Sequence, residues 1–222
     1  MGAKEASSSG GGARVEYADV PTPIGTFRIV YEGPAVRLVD LLERGLEASR
    51  LPEGAVRRRP PFEKESPPGQ LAEYFRGHLD RFTLDVDLDG TTAFDRGVWA
   101  TLRSVPAGAT ITYAALARKA GHAGAARAVG GSMRRNPIPI VIPCHRVVGA
   151  EGTLTGYGLG LWRKRWLLDR EGAWPIRSKS AEGPKGSAHQ RTLDGVTGPA
   201  APGGSRAPAA TRRSSSRRTV PA

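Results

Sequence analysis

The chain has 222 residues, a net charge of +12, 39% hydrophobic residues and one cysteine. That length holds one or two domains. No apolar run is long enough to cross a bilayer, and a single thiol builds neither an internal disulfide nor a thiolate metal cluster. The charge is unevenly placed: residues 1–92 carry 12 Lys/Arg against 15 Asp/Glu, residues 93–175 carry 12 against 4, and residues 176–222 carry 9 against 2. A basic second half expects a polyanion, most often nucleic acid; the alternative is a solvated basic surface.

In chain order, residues 1–13 are Gly/Ser-rich and read as a disordered leader without the apolar centre of a secretory signal. Residues 14–89 read as a small α/β domain. Strands are predicted at 15–20, 26–31 and 36–42, separated by the turns Pro23-Ile24-Gly25 and Glu32-Gly33-Pro34. Leu71, Tyr74, Phe75 and Leu79 recur at helical spacing and predict a helix over 70–79. Leu84, Val86 and Leu88 alternate with aspartates, a half-buried strand rather than a calcium loop.

Residues 93–175 read as mostly helical. Phe94, Val98, Trp99 and Leu102 form one amphipathic stripe. Thr112 is the predicted N-cap of a helix over 113–120, Gly121-His122 breaks it, and a second helix is predicted over 123–135. Two short helices joined by a tight Gly-containing turn are a helix-turn-helix. In the second helix Arg127 stands among Ala125, Ala126 and Ala128. Small residues with one long cation suit a narrow DNA groove, and they equally suit a tightly packed helix pair. A last basic helix is predicted over 163–170. Residues 176–222 are Pro, Gly, Ser, Ala and Arg with few apolar side chains, the composition of a disordered basic tail.

The one thiol, Cys144, follows a run of prolines and β-branched residues (137–143) that predicts an extended approach. His145 and Arg146 follow it directly, groups that favour thiolate over thiol, and thiolate is the reactive form. That context points to a nucleophile rather than an inert core thiol, and a free thiol fits a reducing cytosol.

Residues 143–147 (Pro-Cys-His-Arg-Val) resemble the active-site motif of the O6-alkylguanine-DNA alkyltransferases, the methylated-DNA–protein-cysteine methyltransferases. Further matching blocks are Tyr113, 126–131, Met133-Arg134, Asn136-Pro137, Gly156-Tyr157 and 167–172. The likeness is dense over 93–173 and loose over 14–89. It implies an α+β fold, with a small N-terminal mixed domain followed by a winged-helix-like helix-turn-helix catalytic domain over 93–175.

The resemblance further implies that Cys144 accepts the alkyl group and that His145 takes the thiol proton through a water. Glu171 orients and charges that histidine, and Asn136 ties the motif to the preceding helix turn. Tyr113 rotates the flanking phosphate and donates a proton to the departing guanine. Arg127 fills the gap left by a flipped nucleotide. Backbone groups of Cys144 and Val147 read the guanine edge, and Tyr157 with the Gly158 amide face the alkylated oxygen. Gly158 stands at the position of a family serine that is often another residue. Ala126, Gly130, Met133, Arg134 and Arg146 complete the DNA-facing set.

The implied activity is single-turnover repair of O6-alkylguanine. The implied partner is double-stranded DNA, entered through the minor groove with base flipping. The chain is expected to be a cytoplasmic monomer with no cofactor, no metal and no membrane association. Two other readings stay open: a cysteine hydrolase using Cys144, His145 and Glu171, and a DNA-binding lesion sensor without catalysis.

Overall fold

The computed structural model describes residues 14–44 and 51–173. The leader expected at 1–13 and the tail expected at 176–222 lie outside them. β1 (Glu16–Thr22), β2 (Gly25–Glu32) and β3 (Ala35–Leu41) form an antiparallel meander, matching the three predicted strands. Side-chain alternation, shifted by one residue at a β2–β3 irregularity opposite Val30 and Tyr31, sends Ala18, Val20, Phe27, Ile29, Val36, Val39 and Leu41 inward. On the other face Arg28 pairs across the strands with Asp19 at 2.7 Å. The first turn needs its glycine: Gly25 has φ 118°, and a Cβ there would lie 2.7 Å from Leu41 Cδ1.

Two-residue strands β4 (Val56–Arg57) and β5 (Asp85–Val86) pair in parallel with β1 and β3, giving the order β4-β1-β2-β3-β5. The longer strand predicted over 84–88 does not form. β5 pairs only with Ala35 and Val36, and further along β3 the Val39 amide is already bonded to Pro137 O at 3.0 Å.

Helix α1 (Pro67–Arg76) starts earlier than the predicted residue 70. Ser66 caps it, accepting from Gly69 N at 3.2 Å, and Pro67 and Pro68 occupy first-turn positions whose amides have no helical partner. Gly77 ends it in the left-handed conformation, so Leu79 lies beyond the helix. Helix α2 (Ala93–Arg103), capped by Thr92, buries Val98, Trp99 and Leu102 as the stripe predicts.

Thr112 caps α3 (Tyr113–Lys119), accepting from Ala115 N at 3.2 Å. Helix α4 (Ala126–Arg135) begins later than the predicted residue 123. Gly124 takes φ 83° and Ala125 N donates to His122 O, which makes the preceding residues a turn. β6 (Ile111–Thr112) pairs in parallel with β7 (Val147–Val148), which ties the start of α3 to the strand after the cysteine. Helix α5 (Leu161–Arg170) closes the described chain.

The approach to Cys144 is not extended, contrary to its composition. Asn136 folds it into a turn by bonding both limbs: Ile138 N donates to Oδ1 at 3.0 Å, and Nδ2 donates to Ile142 O at 2.9 Å. Within the turn Ile142 N donates to Ile138 O, and Ile140 sits at φ 77°, a strained backbone for a β-branched residue. The apolar core is shared by the strand and helix segments, from Phe27 and Tyr74 to Trp99, Ile142 and Leu167. Besides Val39–Pro137, Arg163 Nε donates to Ile24 O at 2.7 Å and the Phe75 and Trp166 rings lie 5.9 Å apart.

Candidate active site

Cys144 opens a 3-10 turn, Cys144–Arg146, and is 7% exposed. Its sulfur lies at the wall of a cleft also lined by Met133, Arg134, Asn136, Tyr157, Gly158 and Leu159. One 3-10 turn sends its first side chain to the cleft and the next two to a single buried carboxylate. Cys144 faces the cleft, while His145 and Arg146 point beneath it to Glu171, just after α5.

The Glu171 carboxylate has no exposed side-chain surface and takes four hydrogen bonds. His145 Nε2 donates to Oε1 at 3.0 Å, Tyr74 Oη to Oε1 at 2.7 Å, and Arg146 donates through Nη2 to Oε1 at 2.8 Å and Nε to Oε2 at 2.9 Å. Burial works against the charged carboxylate, but His145 and Arg146 outweigh it and hold its pKa well below the ordinary range. His145 is fully buried, and burial holds its pKa below the usual histidine value in spite of Glu171. It therefore rests neutral. With Nε2–H given to Glu171, its buried Nδ1 has no protein hydrogen-bond partner and is the nitrogen left to receive a proton.

Two expectations need correcting here. Burial pushes the Cys144 thiol pKa up, against the opposing pull of Asn136 and Lys164, so the sulfur rests as thiol rather than thiolate. The adjacent cation does not prevent this because Arg146 serves Glu171 and Val105 O (2.6 Å), not the sulfur. For the same reason the Arg146 side chain is unavailable to DNA: it is 5% exposed and its donors point inward.

The structure gathers Cys144, Asn136, Met133, Arg134, Tyr157 and Gly158 around the cleft, with His145, Arg146 and Glu171 below. Tyr113, Ala126, Arg127 and Gly130 lie apart from that lining, on the α3–α4 helix-turn-helix. Arg127 is exposed there, and Tyr113 Cε1 lies 3.9 Å from where a Cβ on Gly130 would be. The Tyr157 hydroxyl is buried beside Cys144 with no partner at ordinary hydrogen-bond geometry, and burial and then Cys144 raise its pKa well above the usual tyrosine value. α4 is anchored to α2 by Arg135, which binds buried Asp95 through Nη2 at 2.8 Å and Nε at 3.1 Å.

Sequence reasoning missed Lys164, which is fully buried. Its Nζ donates to Val147 O at 2.6 Å and Thr155 O at 2.9 Å, joining the strand after the cysteine to the loop carrying Tyr157 and Gly158. Burial lowers its pKa to about 8. The available signal was helical spacing: Lys164 shares a face with Leu167 and Leu168 inside a basic run that also holds Arg163, Arg165 and Arg170. Among the described residues no group of three His, Cys, Asp or Glu could hold a metal ion, and no helix is long and apolar enough to cross a membrane.

A cysteine at a cleft, a buried histidine–carboxylate pair beneath it and a flanking helix-turn-helix define the architecture of a DNA-binding protein. Residues 93–173 match the family model of the 6-O-methylguanine DNA methyltransferase DNA-binding domain. The methylated-DNA–protein-cysteine methyltransferase of Mycolicibacterium paratuberculosis is 41% identical over 157 residues, 71% of this chain and 92% of that one. Its Shigella flexneri counterpart is 50% identical over 103 residues, 46% of this chain and 60% of that protein. The crystal structure of the Mycobacterium tuberculosis O6-methylguanine methyltransferase aligns with TM-score 0.62 at 40% identity, covering 72% of this chain and 93% of that one. A complex of the M. tuberculosis protein with DNA aligns equally, with TM-score 0.62. The chain belongs to the methylated-DNA–protein-cysteine methyltransferase family.

Proposed function

We propose that this protein repairs O6-alkylguanine in duplex DNA by moving the alkyl group to its own Cys144, once per molecule. The observation that carries the reading is the buried Glu171–His145 pair directly beneath Cys144, which lines a cleft beside a helix-turn-helix. The thiol proton passes, through a water, to His145 Nδ1, and Glu171 stabilises the imidazolium that forms. The thiolate attacks the alkyl carbon. A sulfur–carbon bond forms, the carbon–O6 bond breaks, and guanine leaves with a proton from Tyr113. The product is a thioether, so the protein is consumed.

The target oxygen lies inside the duplex, so the nucleotide has to be extruded. The α3–α4 face supplies the DNA contact, with Ala126 and Gly130 allowing close approach and Arg127 occupying the vacated stack. Met133 and Arg134 border the cleft on the DNA side. Backbone groups of Cys144 and Val147 read the guanine edge, and Tyr157 with the Gly158 amide receives the O6 region. In this reading residues 14–89 form a supporting domain, residues 93–175 form the DNA-binding catalytic domain, and the protein works as a cytoplasmic monomer.

Incubation with a duplex containing O6-methylguanine tests this. One methyl group per protein, found on Cys144 by peptide mass spectrometry, is the expected result. Many turnovers would indicate a hydrolase, and DNA binding without transfer would indicate a lesion sensor; either overturns the proposal.

A further inference from the structure

Tyr74 lies on α1, in the strand-rich first half, 97 residues from Glu171. It is fully buried, its ring packed against Phe75 and Phe82. Its hydroxyl donates to Glu171 Oε1, the oxygen that also accepts from His145 Nε2, and 2.7 Å makes it the shortest bond on that carboxylate. Arg170 fixes the ring from the other side: its guanidinium carbon sits 3.9 Å from the ring centre while Nη2 donates to Leu79 O at 2.9 Å. A packing tyrosine needs no such bond, and a carboxylate already held twice by Arg146 needs no third donor for its orientation.

We propose that Tyr74 is a positioning residue that limits how much of the Glu171 charge reaches His145, and so keeps Cys144 a thiol until substrate arrives. This rests on the repair reading, since a single-use acceptor is wasted by every stray electrophile. The charge on Oε1 is divided among Tyr74, Arg146 and His145, and a hydrogen bond to a charged group is strong enough to matter. With the Tyr74 hydroxyl gone, Arg146 still holds the carboxylate through Nε and Nη2, and more negative charge faces the histidine. His145 then accepts the proton from Sγ at lower pH. The other charged or titratable groups around the relay are Arg146, Lys164, Arg170 and Tyr157, and the substitution leaves all four in place. The Tyr74 hydroxyl stays protonated throughout, because burial and then Glu171 raise its pKa well above the usual value.

The test uses the full chain and its only thiol. Iodoacetamide alkylates Cys144 through the thiolate, the sulfur–carbon bond forming as iodide leaves, so rate against pH reports thiolate formation without DNA. Tyr74→Phe should lower the midpoint by about 0.5–1 unit and raise the rate at pH 7 by roughly 3–10-fold. Phe82→Leu loosens the same packing without touching the hydroxyl; it should lower thermal stability and leave the midpoint at the wild-type value. An unchanged or raised midpoint in Tyr74→Phe, or an equal shift in Phe82→Leu, overturns the proposal. Methyl transfer from O6-methylguanine duplex to wild-type protein, measured alongside, reports on the repair reading separately.

Discussion

Replacing Lys164 by methionine keeps the buried volume and removes one ammonium. The wild-type cost of burying that charge follows from its pKa, lowered from 10.5 to about 8, which is ~3 kcal/mol. Against this stand two charge-assisted hydrogen bonds, to Val147 O at 2.6 Å and Thr155 O at 2.9 Å, each worth ~1.5–3 kcal/mol. The substitution relieves the burial cost and leaves two carbonyls without that donor, so a net loss of ~1–3 kcal/mol is expected. The effect on transfer should be larger in proportion. Lys164 links β7 to the loop bearing Tyr157 and Gly158, and a shift of about 1 Å in a reacting pocket costs roughly 100-fold. Single-turnover transfer should slow by about 10–100-fold, equally for O6-methylguanine duplex and free O6-benzylguanine, because the pocket changes and the DNA face does not. Stability gives a second readout. A folded-state lysine at about 8 against 10.5 unfolded means the unfolded chain binds more protons between those values, so wild type gains on the variant as pH rises through that window. Wild-type transfer rates in Lys164→Met, or a stability gap that narrows from pH 8 to pH 10, would refute the reasoning.

Arg127→Ala should slow repair in duplex DNA by roughly 5–30-fold, since extrusion costs a few kcal/mol and the side chain offsets part of it. Reaction with the free base should be unchanged; equal ratios for both substrates would remove the role assigned to Arg127. Arg146→Lys keeps the charge but cannot reproduce the Nε and Nη2 bonds to Glu171 together with the bond to Val105 O. A loss of ~3 kcal/mol is expected, read as a melting temperature roughly 6–12 °C lower, and a loss within ±0.5 kcal/mol would contradict the buried pairing. His145 is held below its ordinary 6.5, so the unfolded chain binds the extra proton and folding weakens as pH falls below about 6.5. Denaturant unfolding between pH 8 and pH 5 should show this slope, and His145→Gln should flatten it; parallel slopes would mean that His145 is charged in the folded protein.

Much of this protein is legible in local sequence because local physics decides it. The three antiparallel strands follow from period-two alternation and glycine turns, and Thr112 caps α3 because a threonine oxygen can reach the Ala115 amide wherever the helix sits. The nucleophile, its histidine and its carboxylate are carried by residue type and motif. The segments misread from composition are those where a distant partner wins. The run before Cys144 looks extended, but two bonds from Asn136 bend it into a turn and hold Ile140 at positive φ. Arg146 looks like a partner for the thiolate or for DNA, and only the packed structure commits it to Glu171. The protonation state of Cys144 likewise depends on burial, which no neighbour in sequence reports. Tyr74 and Lys164 read as a core aromatic and one more cation in a basic run. Their roles arise from contacts spanning 97 residues in one case and 17 and 9 in the other. Sequence determines which groups are present and how each short segment folds; the tertiary structure decides which donor reaches which acceptor, and so what charge the site carries.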